Sequence, residues 1–129
     1  IAGVIAMRPE VLVLDEPAAG LDPRGRNAIF SNIVDYQRKS GNTVLIVSHS
    51  MEDMARYCDR IVVMSHGEIM LEGDKDSVFR RSELLSKIGL DIPQITKLML
   101  RVRELGVPVD TGIYTVEDAC RALLGIYKK

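Results

Sequence analysis

The segment that most constrains this chain is Val11-Leu12-Val13-Leu14-Asp15-Glu16-Pro17. Four apolar residues in unbroken succession read as a strand covered on both faces, as in a parallel sheet. Two carboxylates stand where that strand ends. In open α/β sheets ligands bind at the carboxyl ends of the strands. A carboxylate there suits Mg²⁺, a hard cation that keeps waters and shares its coordination with nucleotide phosphates. The adjacent carboxylate points another way along an extended chain, where it could orient or deprotonate a water attacking a γ-phosphate. An Asp-Glu pair after a strand is, by itself, a solvated turn. Its neighbours give it more meaning.

Ala19-Gly20-Leu21-Asp22-Pro23 follows at once, and Asp22-Pro23 supplies an N-cap and a proline at the first helical position. The helix it opens places Ile29, Ile33 and Tyr36 on one face, with Phe30 and Val34 beside them, and ends near Gly41. Thr43–Val47 is a second β-branched apolar run, closed by Ser48-His49. The two strand ends are expected side by side, with His49 close to Asp15 and Glu16. A histidine there can hydrogen-bond a phosphate oxygen and respond to its presence. Met51–Tyr57 reads as a short helix, and Arg60–Met64 as a third strand turning through Ser65-His66-Gly67 into Glu68–Leu71. Strand, helix, strand, helix, strand predicts a parallel α/β sheet, here of three parallel strands, with the hairpin at its edge.

From about residue 75 the pattern is helical only. Asp91 and Pro93 open a helix with Ile95, Leu98, Met99, Val102 and Leu105 on its apolar face, stopped by Gly106. Thr115 with Asp118 makes a capping-box-like start to a last helix carrying Val116, Ala119, Cys120, Leu123, Leu124 and Tyr127. These faces read as core or subunit interface.

Composition narrows the rest. With 47% hydrophobic and 27% charged residues the chain is that of an ordinary folded domain. A net charge of -1, with acids and bases interleaved, leaves no basic patch for nucleic acid. The apolar runs are far short of the roughly 20 residues a bilayer crossing needs, so a role at a membrane implies a partner that holds the chain there. Cys58 and Cys120, on separate helices, read as two buried thiols in a reducing compartment. Ile1–Met7 reads as the end of an apolar helix already under way, without initiator Met or signal peptide, so the chain is expected to begin inside a larger domain.

Val11–Pro17 resembles the Walker B strand of ABC ATPases, Ala19–Asp22 their D-loop, and Ile46–His49 their switch-histidine loop. The resemblance covers roughly residues 9 to 72. It implies a partial P-loop NTPase sheet in which Asp15 helps hold Mg²⁺ and Glu16 positions the hydrolytic water. By the same resemblance His49 contacts the γ-phosphate of ATP, and Asp22 links two nucleotide sites across a dimer. Gly67-Glu68-Ile69 matches a hairpin of the family, with a structural role, and His66 is a solvated turn residue.

The departures matter too. No G-x-x-x-x-G-K-[ST] stands anywhere in the chain. The Leu-Ser-Gly-Gly-Gln signature and the glutamine loop are also missing, which fits a fragment cut just after the signature rather than a degenerate enzyme. Ala18 stands where many relatives have a hydroxyl residue, a small departure.

Residues 82–124 are similar to the helical C-terminal extension of energy-coupling factor transporter ATPases. That resemblance implies two domains: 1–80, the C-terminal part of an ABC ATPase domain, and 81–129, a helical extension for dimerisation. It implies a peripheral subunit on the cytoplasmic face of the membrane, paired with a second ATPase and a membrane-embedded transporter subunit. That assembly would power uptake of a vitamin or metal ion that the ATPase never touches. Two alternatives stand beside it: a non-catalytic dimerisation or regulatory module of ATPase descent, and a soluble ABC ATPase outside transport. The latter class carries coiled coils or a second cassette, and neither is seen here. Without its phosphate loop, this chain alone is predicted to be inactive.

Overall fold

The computed structural model describes residues 2–127, which divide between His49 and Ser50 into two compact units. The first holds helix α1 (Ala2–Ala6), strand β1 (Val11–Asp15), helix α2 (Pro23–Ser40) and strand β2 (Thr43–Val47). Of the expected helix Ile1–Met7, Ile1 lies outside the described residues. Strands β1 and β2 pair in parallel, with Val11 opposite Thr43, Val13 opposite Leu45 and Asp15 opposite Val47. The intervening α2 is the crossover that parallel neighbours require.

Helix α2 starts and stops where its sequence dictates. Asp22 caps it, its carboxylate accepting from the Gly25 amide at 2.8 Å, and Pro23 follows at the first helical position. Gly41 ends it in the left-handed region at φ 69°, where a side chain would be strained. Its amide returns to the Gln37 carbonyl at 2.8 Å. Tyr36 and Asn42 then tie the helix end back to the Pro9 carbonyl.

Burial corrects one expectation. Leu12 and Leu14 are buried, as are Ala18, Phe30 and Ile33, but Val11 and Val13 are exposed, Val13 at 60%. Successive strand residues face opposite ways, so Val11, Val13, Leu45 and Val47 share one uncovered apolar face of the two-stranded sheet. The unbroken apolar run had implied cover on both faces. The described residues cover one and leave the other as an exposed apolar patch.

The second unit opens with helix α3 (Met51–Tyr57), capped by Ser50, whose hydroxyl accepts from the Asp53 amide at 3.3 Å. Strands β3 (Ile61–Ser65) and β4 (Glu68–Gly73) form an antiparallel hairpin. Its turn residues His66 and Gly67 both have positive φ, 51° and 81°, as a tight two-residue connection matched to strand twist demands. The three-stranded parallel sheet does not form as such: β1 pairs with β2, and β3 takes its ladder from β4. A two-residue turn makes that local pairing cheap in loop entropy.

Helices α4 (Lys75–Phe79), α5 (Ser82–Lys87), α6 (Gln94–Glu104) and α7 (Val116–Tyr127) complete the unit. Asp91 does not cap α6 as its position suggested; its carboxylate is taken by the Ile92 amide and the Lys97 ammonium. The Gln94 amide is met instead by the Glu52 carboxylate of α3 at 3.3 Å, an anion at the positive end of the helix. Thr115 does cap α7, accepting from the Asp118 amide at 3.3 Å while its hydroxyl meets the Asp118 carboxylate at 2.6 Å.

Met99, Val109, Ile113 and Ala119 form a buried cluster, with Ile95, Val102, Ala122, Leu123 and Ile126 against it. Leu98, Leu105, Val116, Leu124 and Tyr127, expected on the same apolar faces, are exposed, Tyr127 at 90%. Cys58 is half-buried, and burial raises its thiol pKa, whereas Cys120 is exposed rather than buried. Among the described residues no helix is long and apolar enough to cross a membrane.

Candidate functional site

The expected site residues all fall in the first unit, where β1 and β2 end side by side. Asp15 is the last residue of β1. It stands opposite Val47 in the ladder, with its side chain exposed to solvent. Glu16 extends the pairing by one bond, its amide donating to the Val47 carbonyl at 2.9 Å. There the chain leaves the strand abruptly. Glu16 adopts φ 41°, left-handed for a residue with a side chain, and its carbonyl accepts from the Ala19 amide at 3.0 Å to close a turn. A strained conformation of this kind persists only where its surroundings over-determine it, and such residues gather at working sites.

That conformation decides where the second carboxylate goes. An extended Glu16 would simply alternate with Asp15, as the sequence suggested. The left-handed turn instead brings its carboxylate to the residues following β2. Ser48 Oγ donates to Glu16 Oε2 at 3.1 Å, and the His49 amide donates to Oε1 at 3.0 Å. The His49 ring completes the set, with Nδ1 2.6 Å from Oε1. The pair lies at the surface, the His49 side chain 85% exposed and that of Glu16 35%.

The electrostatics follow from these contacts. The His49 ring is the largest influence and holds the Glu16 carboxyl below the ordinary glutamate value; desolvation opposes it, and the His49 amide and the Ser48 hydroxyl lower it further. In this arrangement Glu16 is a firmly ionised carboxylate with both oxygens engaged. Release of the ring bond would remove the largest influence lowering its pKa and make it a stronger proton acceptor.

Asp22 is brought to the same unit but not to this cluster. Its carboxylate is spent on capping α2. Ser48 is the participant that sequence reading left without a task. The signal for it was present, since a hydroxyl residue just beyond a strand end and beside a candidate histidine is placed to bond a neighbouring loop.

As to a metal, among the described residues no group of three or more His, Cys, Asp or Glu side chains is placed to hold one. A Mg²⁺ carried by a nucleotide would need only one protein carboxylate beside phosphates and waters. Asp15, exposed and without an ion pair among the described residues, has the right chemistry to be that ligand; the engaged carboxylate of Glu16 does not.

Comparison with known proteins supplies the context. No family model matches the chain. The energy-coupling factor transporter ATP-binding protein EcfA2 of Clostridium perfringens is 49% identical over 99% of this chain and 45% of its own length. The protein of the same description from Caldanaerobacter subterraneus is 48% identical over 96% of this chain and 43% of its own length. The chain thus spans a little under half the length of these curated relatives. Among solved structures, cbiO1 from Clostridium perfringens, described as part of the ABC transporter complex cbiONQ, superposes with a TM-score of 0.58 at 42% identity. That match covers 76% of this chain and 39% of the other. In sequence along almost its whole length, and in its partial α/β fold, this chain resembles the ATP-binding subunits of energy-coupling factor transporters, which are ABC ATPases.

Proposed function

We propose that this chain is the catalytic-carboxylate half of an ATP-hydrolysing subunit of an energy-coupling factor importer. The observation that carries the proposal is the convergence of Glu16, Ser48 and His49 at the adjoining ends of two parallel strands. Glu16 orients the attacking water and takes its proton as the water oxygen bonds to the γ-phosphorus and the bond to ADP breaks. His49, on an exposed ring, exchanges its bond to Glu16 for one to the γ-phosphate. Asp15 holds Mg²⁺, which when bound neutralises phosphate charge. Asp22 acts across a dimer of ATPase subunits, beyond its task as a helix cap.

In this reading residues 81–129 serve the pairing with a second ATPase subunit. The whole works at the cytoplasmic face of a membrane against an integral transporter subunit, powering uptake of a vitamin or metal ion. The names of the relatives and the exposed apolar side chains of α6 and α7 support it. The chain has no phosphate loop of the G-x-x-x-x-G-K-[ST] type, so by itself it should bind ATP too weakly to detect and should not turn it over.

The test is Glu16→Gln in the complete ATPase. Turnover should fall on the order of a thousandfold, the scale of a lost general base. ATP and Mg²⁺ should still bind, as measured by equilibrium titration. Undiminished hydrolysis by this variant would leave Glu16 a structural residue and the catalytic reading without support.

A further inference from the structure

We infer that Ser48 is a positioning residue for the Glu16 carboxylate, fixing its orientation while the His49 ring is free to leave. This rests on the catalytic reading of Glu16 above. The geometry divides the donors on that carboxylate into two kinds. The His49 ring meets Oε1 from an almost fully exposed side chain, 85% accessible, so little besides that one bond restrains it. The other two donors are tied to the sheet. Ser48 and the His49 amide directly follow Val47, which is held in the parallel ladder opposite Asp15, and whose carbonyl accepts from Glu16 itself at 2.9 Å.

Ser48 has a distinct task within this pair. The His49 amide and ring both meet Oε1, whereas the hydroxyl of Ser48 meets Oε2 at 3.1 Å. A carboxylate held through one oxygen can still rotate about its terminal torsion, which is soft and roughly two-fold. Donors on both oxygens set its plane. With the ring gone, Ser48 and the His49 amide still address one oxygen each, and the lone pairs keep their direction.

Positioning of this kind is worth a large factor in rate because small misplacements of a reacting group are costly. The half-buried Ser48, with a hydroxyl on a short side chain, can supply it at little entropic cost.

The experiment compares Ser48→Ala and Ser48→Thr in the complete ATPase. It reads kcat and KM for ATP, with the urea denaturation midpoint as a check on folding. Ser48→Ala should lower kcat about tenfold with KM changed less than about twofold. Ser48→Thr keeps a hydroxyl on a residue suited to a strand end, and should restore kcat. An unchanged kcat in Ser48→Ala overturns the inference. So does an equal loss of kcat in both variants, which would mark Ser48 as merely structural. Glu16→Gln, run alongside, reports on the underlying reading alone: full activity there removes the reaction that Ser48 is inferred to serve, whatever the Ser48 variants show.

Discussion

The turn at Glu16 and the helical cluster around Met99 are ordered by opposite means. At Glu16, a left-handed backbone is held by hydrogen bonds to an ionised carboxylate in an open, wet setting. Around Met99, which is 0% exposed, order comes from apolar burial, and the buried Thr96 hydroxyl is satisfied by the Ile113 carbonyl at 2.7 Å. Exposed charge pairs contribute little net stability because solvent screens them and their side chains must be immobilised. Apolar burial yields roughly 25 cal/mol for each Å² removed from water, but supplies no chemistry. The first region can therefore be rearranged by a ligand at small cost, and the second cannot.

Substitution at Met99 should give the largest effect on folding. Met99→Ala is expected to lower unfolding free energy by about 2–5 kcal/mol, read from urea denaturation, and to leave the Glu16 titration where it was. Glu16→Gln should do the reverse, moving stability by less than about 1 kcal/mol while removing turnover. Comparable stability losses from the two would dissolve the contrast.

The helix caps sharpen it at a smaller scale. Thr115→Ala and Asp22→Ala should each cost about 1 kcal/mol, since each removes a side chain that accepts a helix N-terminal amide. Asp22→Ser should recover the stability, because serine caps as well as aspartate. If ATP turnover in the complete protein stays low in Asp22→Ser, the carboxylate has a second task beyond the cap. If turnover recovers with stability, capping is its whole contribution.

Acid should act on both regions through their carboxylates. Glu16 is held low chiefly by the His49 ring, Asp91 chiefly by Lys97, and Asp118 chiefly by the Thr115 hydroxyl. Each binds its proton less readily folded than unfolded, so its stabilisation is complete above the ordinary value, 4.5 for glutamate, and is lost as pH falls through the lower folded value. Chemical denaturation followed from pH 6 to about pH 2 should show stability declining only toward the acid end. His49→Ala should raise the Glu16 midpoint more than Ser48→Ala does, since the ring is its largest influence.

The smallest effect belongs to the hairpin turn. His66 occupies a left-handed position at φ 51° before Gly67, where asparagine is at ease. His66→Asn should stabilise the protein by about 0.5 kcal/mol, with no change in the Glu16 titration.

Much of this was legible in the chain itself because it is decided within a few residues. Asp22-Pro23 and Gly41 bound α2 through local hydrogen bonding and allowed φ, and Ser50 opens Met51–Tyr57 in the same local way. The motif residues Asp15, Glu16 and His49 stood out for the same reason, as polar groups placed directly after apolar runs. What only the tertiary structure decided is everything that depends on which surface finds a partner. Val11 and Leu12 are equally apolar, and nothing local reveals that one is exposed and the other buried. Leu98 and Met99 pose the same question on α6. The left-handed turn at Glu16 belongs in that class as well. Locally it is disfavoured, and it is held in place by Ser48 and His49, more than thirty residues away in the chain and brought close only by the pairing of β1 with β2.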